Sequence, residues 1–96
     1  MSDQGNKVIL VSLSGYSSEK IGILRGLIAD RVALFCVVGR DCEIWHDVMD
    51  ELCVGDGTDP VDMLTTWHPD EPIEDVIEFA KTCSVENDDG VRIIEV

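Results

Sequence analysis

Ninety-six residues, 45% hydrophobic and 28% charged, have the make-up of one small globular domain rather than a disordered or fibrous chain. No apolar run approaches the ~20 residues that a membrane helix needs. The net charge of −13 opposes nucleic acid and anionic lipid as partners. That charge is unevenly placed: residues 1–40 hold three acids and five bases, and residues 41–96 hold the other 17 acids and two bases. The second part of the chain therefore carries all of the excess, which attracts basic partners or cations or else serves solubility alone.

In chain order, residues 1–6 are polar and are expected to be a disordered N-terminus, with a single α/β domain over 7–96. Lys7 to Leu13 is a short apolar run rich in β-branched residues, which predicts a strand covered on both faces. Ser14-Gly15-Tyr16-Ser17-Ser18 breaks it, and Ser17 or Ser18 is placed to cap a helix from about Glu19 to Asp30. Ile21, Leu24, Leu27 and Ile28 give that helix its apolar stripe. Gly22 and Gly26 weaken it by ~1 kcal/mol each relative to alanine, and their spacing predicts close packing on the sheet.

Val32 to Val38 is a second fully apolar strand, ended by Gly39. Asp41 is expected to cap the next helix, whose buried face is Trp45, Val48, Met49 and Leu52. That helix stops at Val54-Gly55, and Asp56 to Pro60 reads as loop. Val61 to Trp67 is a third, less apolar strand. After it Asp70 is positioned to cap, Pro72 suits a first helical turn, and Ile73, Val76, Ile77, Ala80 and Cys83 form an apolar stripe. Ser84 to Gly90 is turn-rich, with Asp89-Gly90 a tight turn, and Val91 to Val96 is a last strand whose Arg92 and Glu95 point to an edge position.

The order βαβαβαβ predicts a small three-layer α/β/α sandwich on a mostly parallel four-stranded sheet. The doubly wound pattern leads us to expect the strand order 2-1-3-4. That order leaves the fully apolar second strand at an edge, a liability unless the order differs or a second copy covers it as a homodimer.

The chain's only two tryptophans and only two histidines occur as Trp45-His46 and Trp67-His68, each near a strand-to-helix junction. In a parallel sheet these junctions share one rim, where ligands bind. Asp41, Trp45, His46, Asp47, Thr66, Trp67, His68, Asp70 and Glu71 are the candidate binding residues, and Cys42, His46 and His68 the candidate catalytic ones.

Several kinds of chemistry compete there. Cys42 in a first helical turn, with His46 on the same face and His68 nearby, fits a thiol nucleophile activated by the helix dipole. His46, His68, Asp41 and Asp70 have ligand chemistry, but no diagnostic metal spacing, and no metal or cofactor is expected. Ser14 to Ser18 leads into a helix start, which suits an anion, but lacks the glycine pattern of a nucleotide loop. The structural alternative puts Trp45 in the core, packs Trp67 beneath a helix, and has the histidines cap helix starts or pair with Asp47 and Asp70. Cys36, Cys42, Cys53 and Cys83 form no C-x-x-C pair and no secretion signal is evident, so four reduced thiols in a cytoplasmic protein are expected.

Gly39-Arg40-Asp41-Cys42-Glu43-Ile44-Trp45-His46-Asp47 and the segment Met63 to Cys83, with its Thr-Thr-Trp-His-Pro-Asp-Glu-Pro core, resemble a family of small bacterial proteins. That family is known only as a domain of unknown function. The resemblance covers Val38 to Cys83, about half the chain, and implies an origin rather than a mechanism. Charge then leads the functional expectation. It is an acidic, non-enzymatic interaction domain for a basic partner, of the immunity-protein or toxin-inhibitor kind. A small enzyme or ligand-binding domain using the Trp-His rim is the alternative.

Overall fold

A computed structural model of the chain describes residues 5–55, 63–85, 88 and 90–96. Its strands are β1 (Lys7–Ser12), β2 (Leu34–Gly39), β3 (Leu64–His68) and β4 (Val91–Glu95). Its helices are α1 (Ile21–Ala29, entered through a single tight turn at Ser18–Lys20), α2 (Cys42–Val54) and α3 (Ile73–Thr82). All strand pairs are parallel, and the sheet order is β3-β2-β1-β4. The fold class is the expected α/β sandwich. The expected order 2-1-3-4 is corrected, and the reason is burial. β1 and β2 are apolar on both faces, and Val8, Ile9, Leu10, Leu34, Phe35, Cys36 and Val37 are fully buried. Strands of that kind need a neighbour on each side as well as cover above and below. The half-polar β3 and β4 take the two edges. The edge argument for a homodimer through β2 falls away with the order that motivated it.

Two successive crossovers in one direction place α1 and α2 on one face of the sheet, and the long return from β3 to β4 places α3 on the other. One core layer gathers Val8, Leu10, Phe35 and Val37 beneath Leu24, Leu27, Trp45 and Met49. The other gathers Ile9, Leu34, Cys36 and Val38 beneath Val76 and Ala80. Strand parity fixes this division, since successive side chains point to opposite faces.

Local chemistry departs from expectation at the helix starts. None of Ser17, Asp41 and Pro72 makes a side-chain cap, and Asp70 does not precede α3 directly because Pro72 holds the cap position. Asp41 and Asp70 adopt left-handed backbone, φ 60° and 63°, and so turn the chain rather than cap it. At its other end α1 stops in a Schellman arrangement. Val32 N–H donates to Leu27 O and Arg31 N–H to Ile28 O, with Arg31 left-handed where glycine is usual.

Of the six residues expected outside the domain, 1–4 fall outside the described residues. Gly5 is buried, and the Asn6 carbonyl accepts from Ala33 and Leu34 N–H. The expected loop at Asp56–Pro60, the expected start of the third strand at Val61 and Asp62, and Asp89 of the expected tight turn also lie outside the described residues.

Among the described residues Lys7 is a buried charge. Its Nζ donates to the carbonyls of Lys81 and Cys83, at 3.4 and 3.1 Å, and pairs with Asp88 at 2.8 Å. The link holds the end of α3 to β1, and the Lys7 ammonium keeps the Asp88 carboxyl below its ordinary range.

Gly22 and Gly26 do not pack on the sheet. Both are exposed, and a Cβ at either would meet nothing within 4 Å. Gly22→Ala and Gly26→Ala therefore each stabilise the protein by roughly 0.5–1 kcal/mol, read as a raised urea midpoint at unchanged slope.

Candidate functional site

The junctions that carry the two Trp-His pairs are built from glycine and serine. Gly39, at φ 97°, lets β2 end against β1, because a Cβ there would lie 2.4 Å from Ser12 O. Arg40 N–H donates to that same carbonyl at 2.9 Å. Gly15, at φ 88°, makes room for the Asp41 carboxylate, whose Oδ2 accepts from Tyr16 N–H at 3.1 Å. Asp41 thus ties the first strand end to the second instead of capping α2. The N–H that a bound phosphate would need is taken by the protein's own carboxylate. Lys20 Nζ in turn donates to Ser14 Oγ and Gly15 O, at 2.8 and 2.7 Å. This loop is closed on itself rather than arranged for an anion.

Trp45 is core. It is fully buried, its indole N–H donates to Ser12 Oγ at 2.9 Å, and its ring meets Tyr16 edge-on at 5.0 Å. A buried indole needs an acceptor, and Ser12, the last residue of β1, supplies it.

His46 follows Trp45 and stays near the surface, between α2 and β3. Its ring lies 4.5 Å from that of Trp67. Its Nε2 is 3.2 Å from Thr65 Oγ1 and 3.5 Å from Asp50 Oδ2, and its Nδ1 is 3.3 Å from Asp47 Oδ1. Thr65 Oγ1 also donates to Asp50 at 2.6 Å. Thr65 and Asp50 are not among the candidate binding or catalytic residues named from the sequence. Two spacings point to them, the i, i+4 step from His46 to Asp50 and the i, i+2 step from Thr65 to Trp67.

His68 lies on the opposite face of the sheet. It is 7% exposed and packs against Phe79 at 5.3 Å between ring centroids. Thr66 Oγ1 is 2.8 Å from its Nε2, and Glu71 Oε2 is 3.2 Å from its Nδ1. Its carboxylate partner is Glu71, and the expected pairing with Asp70 is not made. Trp67 is the reverse of its predicted state: it is 42% exposed instead of packed beneath a helix.

The two dipeptides are thus neighbours through His46 and Trp67, but they do not share a pocket. Alternation along β3 sends Thr65 and Trp67 toward α2, and Thr66 and His68 toward α3. The change of winding direction falls between β1 and β4, two strands away from β3. The two imidazoles therefore belong to separate arrays, one hydroxyl and at least one carboxylate each.

The surroundings of Cys42 do not favour a thiolate. Cys42 is buried, and burial pushes its thiol up from the ordinary value, outweighing the N–H groups of His68 and Glu43 that pull the other way. Cys36 and Cys53 are raised by burial too. Neither histidine ring is placed on Cys42, since their nitrogens are bonded elsewhere. Among the described residues no three His, Cys, Asp or Glu side chains cluster as a metal site.

Together these features define a small acidic α/β sandwich in which the edge strand β3 carries an exposed tryptophan between two imidazole–carboxylate arrays. The chain belongs to the family described as Domain of unknown function (DUF7684), whose profile matches residues 3–95. The match extends past Val38–Cys83 at both ends to nearly the whole chain. No curated protein and no solved structure matches it.

The thiols give a direct check on this geometry. At neutral pH an uncharged alkylating reagent labels half-buried Cys83 before Cys36, Cys42 and Cys53, and denaturant removes the difference. Peptide mass mapping over time reads the order. Fastest labelling at Cys42 would restore the nucleophile.

Proposed function

We propose that this is a protein-interaction domain that binds a basic partner protein through its acidic surface. An immunity protein or toxin inhibitor of a bacterial cytoplasm is one concrete form. The carrying observation is a set of exposed carboxylates: Asp47, Asp50 and Glu51 on α2, and Glu74, Asp75 and Glu78 on α3. Among the described residues none of the six is matched by a lysine or arginine within salt-bridge distance; the only cationic side chain that Asp47 and Asp50 can pair with there is His46. The two helices lie on opposite faces of the sheet, so the negative field surrounds β3 from both sides. Fields of one sign speed encounter with an opposite partner and select against like-charged ones. Four free cysteines, three of them buried, suit a reducing compartment.

Binding driven this way weakens with salt. A basic protein retained by the immobilised chain at low ionic strength is released as salt rises. A variant carrying Asp47→Asn, Asp50→Asn, Glu74→Gln, Asp75→Asn and Glu78→Gln retains it at least about tenfold more weakly. Retention of basic proteins unchanged by the variant or by salt would remove the reading.

A second reading rests on the order Thr66–His68–Glu71, hydroxyl to imidazole to carboxylate, which is the geometry of an activated hydroxyl. It describes a small enzyme or ligand-binding domain. In its favour His68→Ala would abolish a turnover while leaving the melting temperature nearly unchanged. The burial of His68 beneath Phe79 supports instead a large loss of stability in that variant, which thermal denaturation reads.

A further inference from the structure

Resting on the acidic-interaction reading and deepening it, we propose that the outer edge of β3 is the docking place, and that its occupant is an extended basic segment of the partner, added to the sheet as a fifth strand.

The backbone sets the rule. Leu64 N–H donates to Ala33 O at 3.0 Å, so Leu64 turns its main-chain groups toward β2. Alternation then turns the N–H and C=O of Thr65 and Trp67 outward. Among the described residues nothing pairs with that edge, since β2 is the sole neighbour of β3. Unpaired ladder groups on an edge strand are a template for another strand, and such addition is a recurrent mode of peptide recognition.

The side chains beside the edge indicate what fits. Trp67, 42% exposed, stands on the α2 face, and Leu64, 50% exposed, on the α3 face. Each offers an apolar contact to alternate residues of an incoming strand. The His46 ring against Trp67 holds that indole in place. Around these lie carboxylates: Asp47 and Asp50 on the α2 face, with side chains 69% and 51% exposed, and Glu71 on the α3 face, 48% exposed. Charged side chains commonly guard an edge strand against other edges. Guards of a single sign reject neutral and acidic strands and admit a basic one. A second copy of this chain is rejected for the same reason, because β3 against β3 sets Asp47 and Asp50 against the same acids.

The test uses the full chain labelled with ¹⁵N and a short peptide alternating lysine and valine. Two control peptides accompany it: a glutamate–valine peptide, and the lysine–valine peptide N-methylated at every residue so that neither of its edges can donate. The expected result is amide shifts centred on Thr65 and Trp67, with hydrogen exchange at both slowed by the lysine peptide only. The N-methylated peptide binds about tenfold more weakly, as losing main-chain hydrogen bonds requires. Asp47→Asn with Asp50→Asn weakens binding several-fold.

Shifts confined to α2 or α3, with Thr65 and Trp67 unmoved, would overturn the edge and leave the acidic-interaction reading standing. No binding of the lysine peptide at low salt would overturn both, and would mean that the acids only guard the strand. Concentration-dependent dimerisation that protects Thr65 and Trp67 without peptide would name a second copy as the occupant and overturn the basic segment.

Discussion

The two innermost strands are apolar on both faces, and the rest of the molecule follows from where they must sit. Burying Val8 to Leu10 and Leu34 to Val38 above and below requires helices on both faces of the sheet. Burying their edges as well puts β1 and β2 at the centre. The register between them, Lys7 opposite Leu34 through Ser12 opposite Gly39, then decides which side chains meet α1 and α2 and which meet α3. Even Lys7 obeys it: its parity is that of the α3 face, and its ammonium is satisfied by carbonyls at the end of that helix.

Alternation along β3 and the buried face of α2 together explain why the indole and imidazole residues form a surface rather than a cavity. In the first pair the indole goes inward to Ser12 and the imidazole stays near solvent. In the second the imidazole goes inward under Phe79 and the indole stays out. Only the outward members meet, His46 on Trp67. What the chain presents there is an edge strand framed by acids. The hydroxyl–imidazole–carboxylate order at His68 is chemically capable, but it is spent on satisfying a nearly sealed ring.

The sequence makes the elements legible because burial leaves periodic traces. The continuous apolar runs mark β1 and β2, and the three-and-four spacing marks α1, α2 and α3. The interruption of the last strand by Arg92 and Glu95 marks β4 as an edge. Strand order is less legible, since it depends on comparing all four strands for their need of cover. That comparison is available from residue types, because Leu-Thr-Thr-Trp-His is the strand best able to face water. Caps were misjudged where Asp41 and Asp70 occupy left-handed turns, a conformation that aspartate tolerates as readily as capping. The fate of Cys42 was illegible for a related reason. A first-turn thiol has the right dipole, but its burial beneath the end of β3 is set by tertiary packing, and desolvation is the larger effect.

The unequal settings of the two indoles have an optical consequence. Trp45, enclosed and hydrogen-bonded, emits as a blue-shifted fluorophore out of reach of aqueous quenchers, and its signal follows the integrity of the core. Trp67, open to water and tilted against an imidazole, emits further to the red and lies within reach of aqueous quenchers. The chain carries two built-in reporters, one for unfolding and one for whatever approaches its acidic border, and they separate by wavelength without a label.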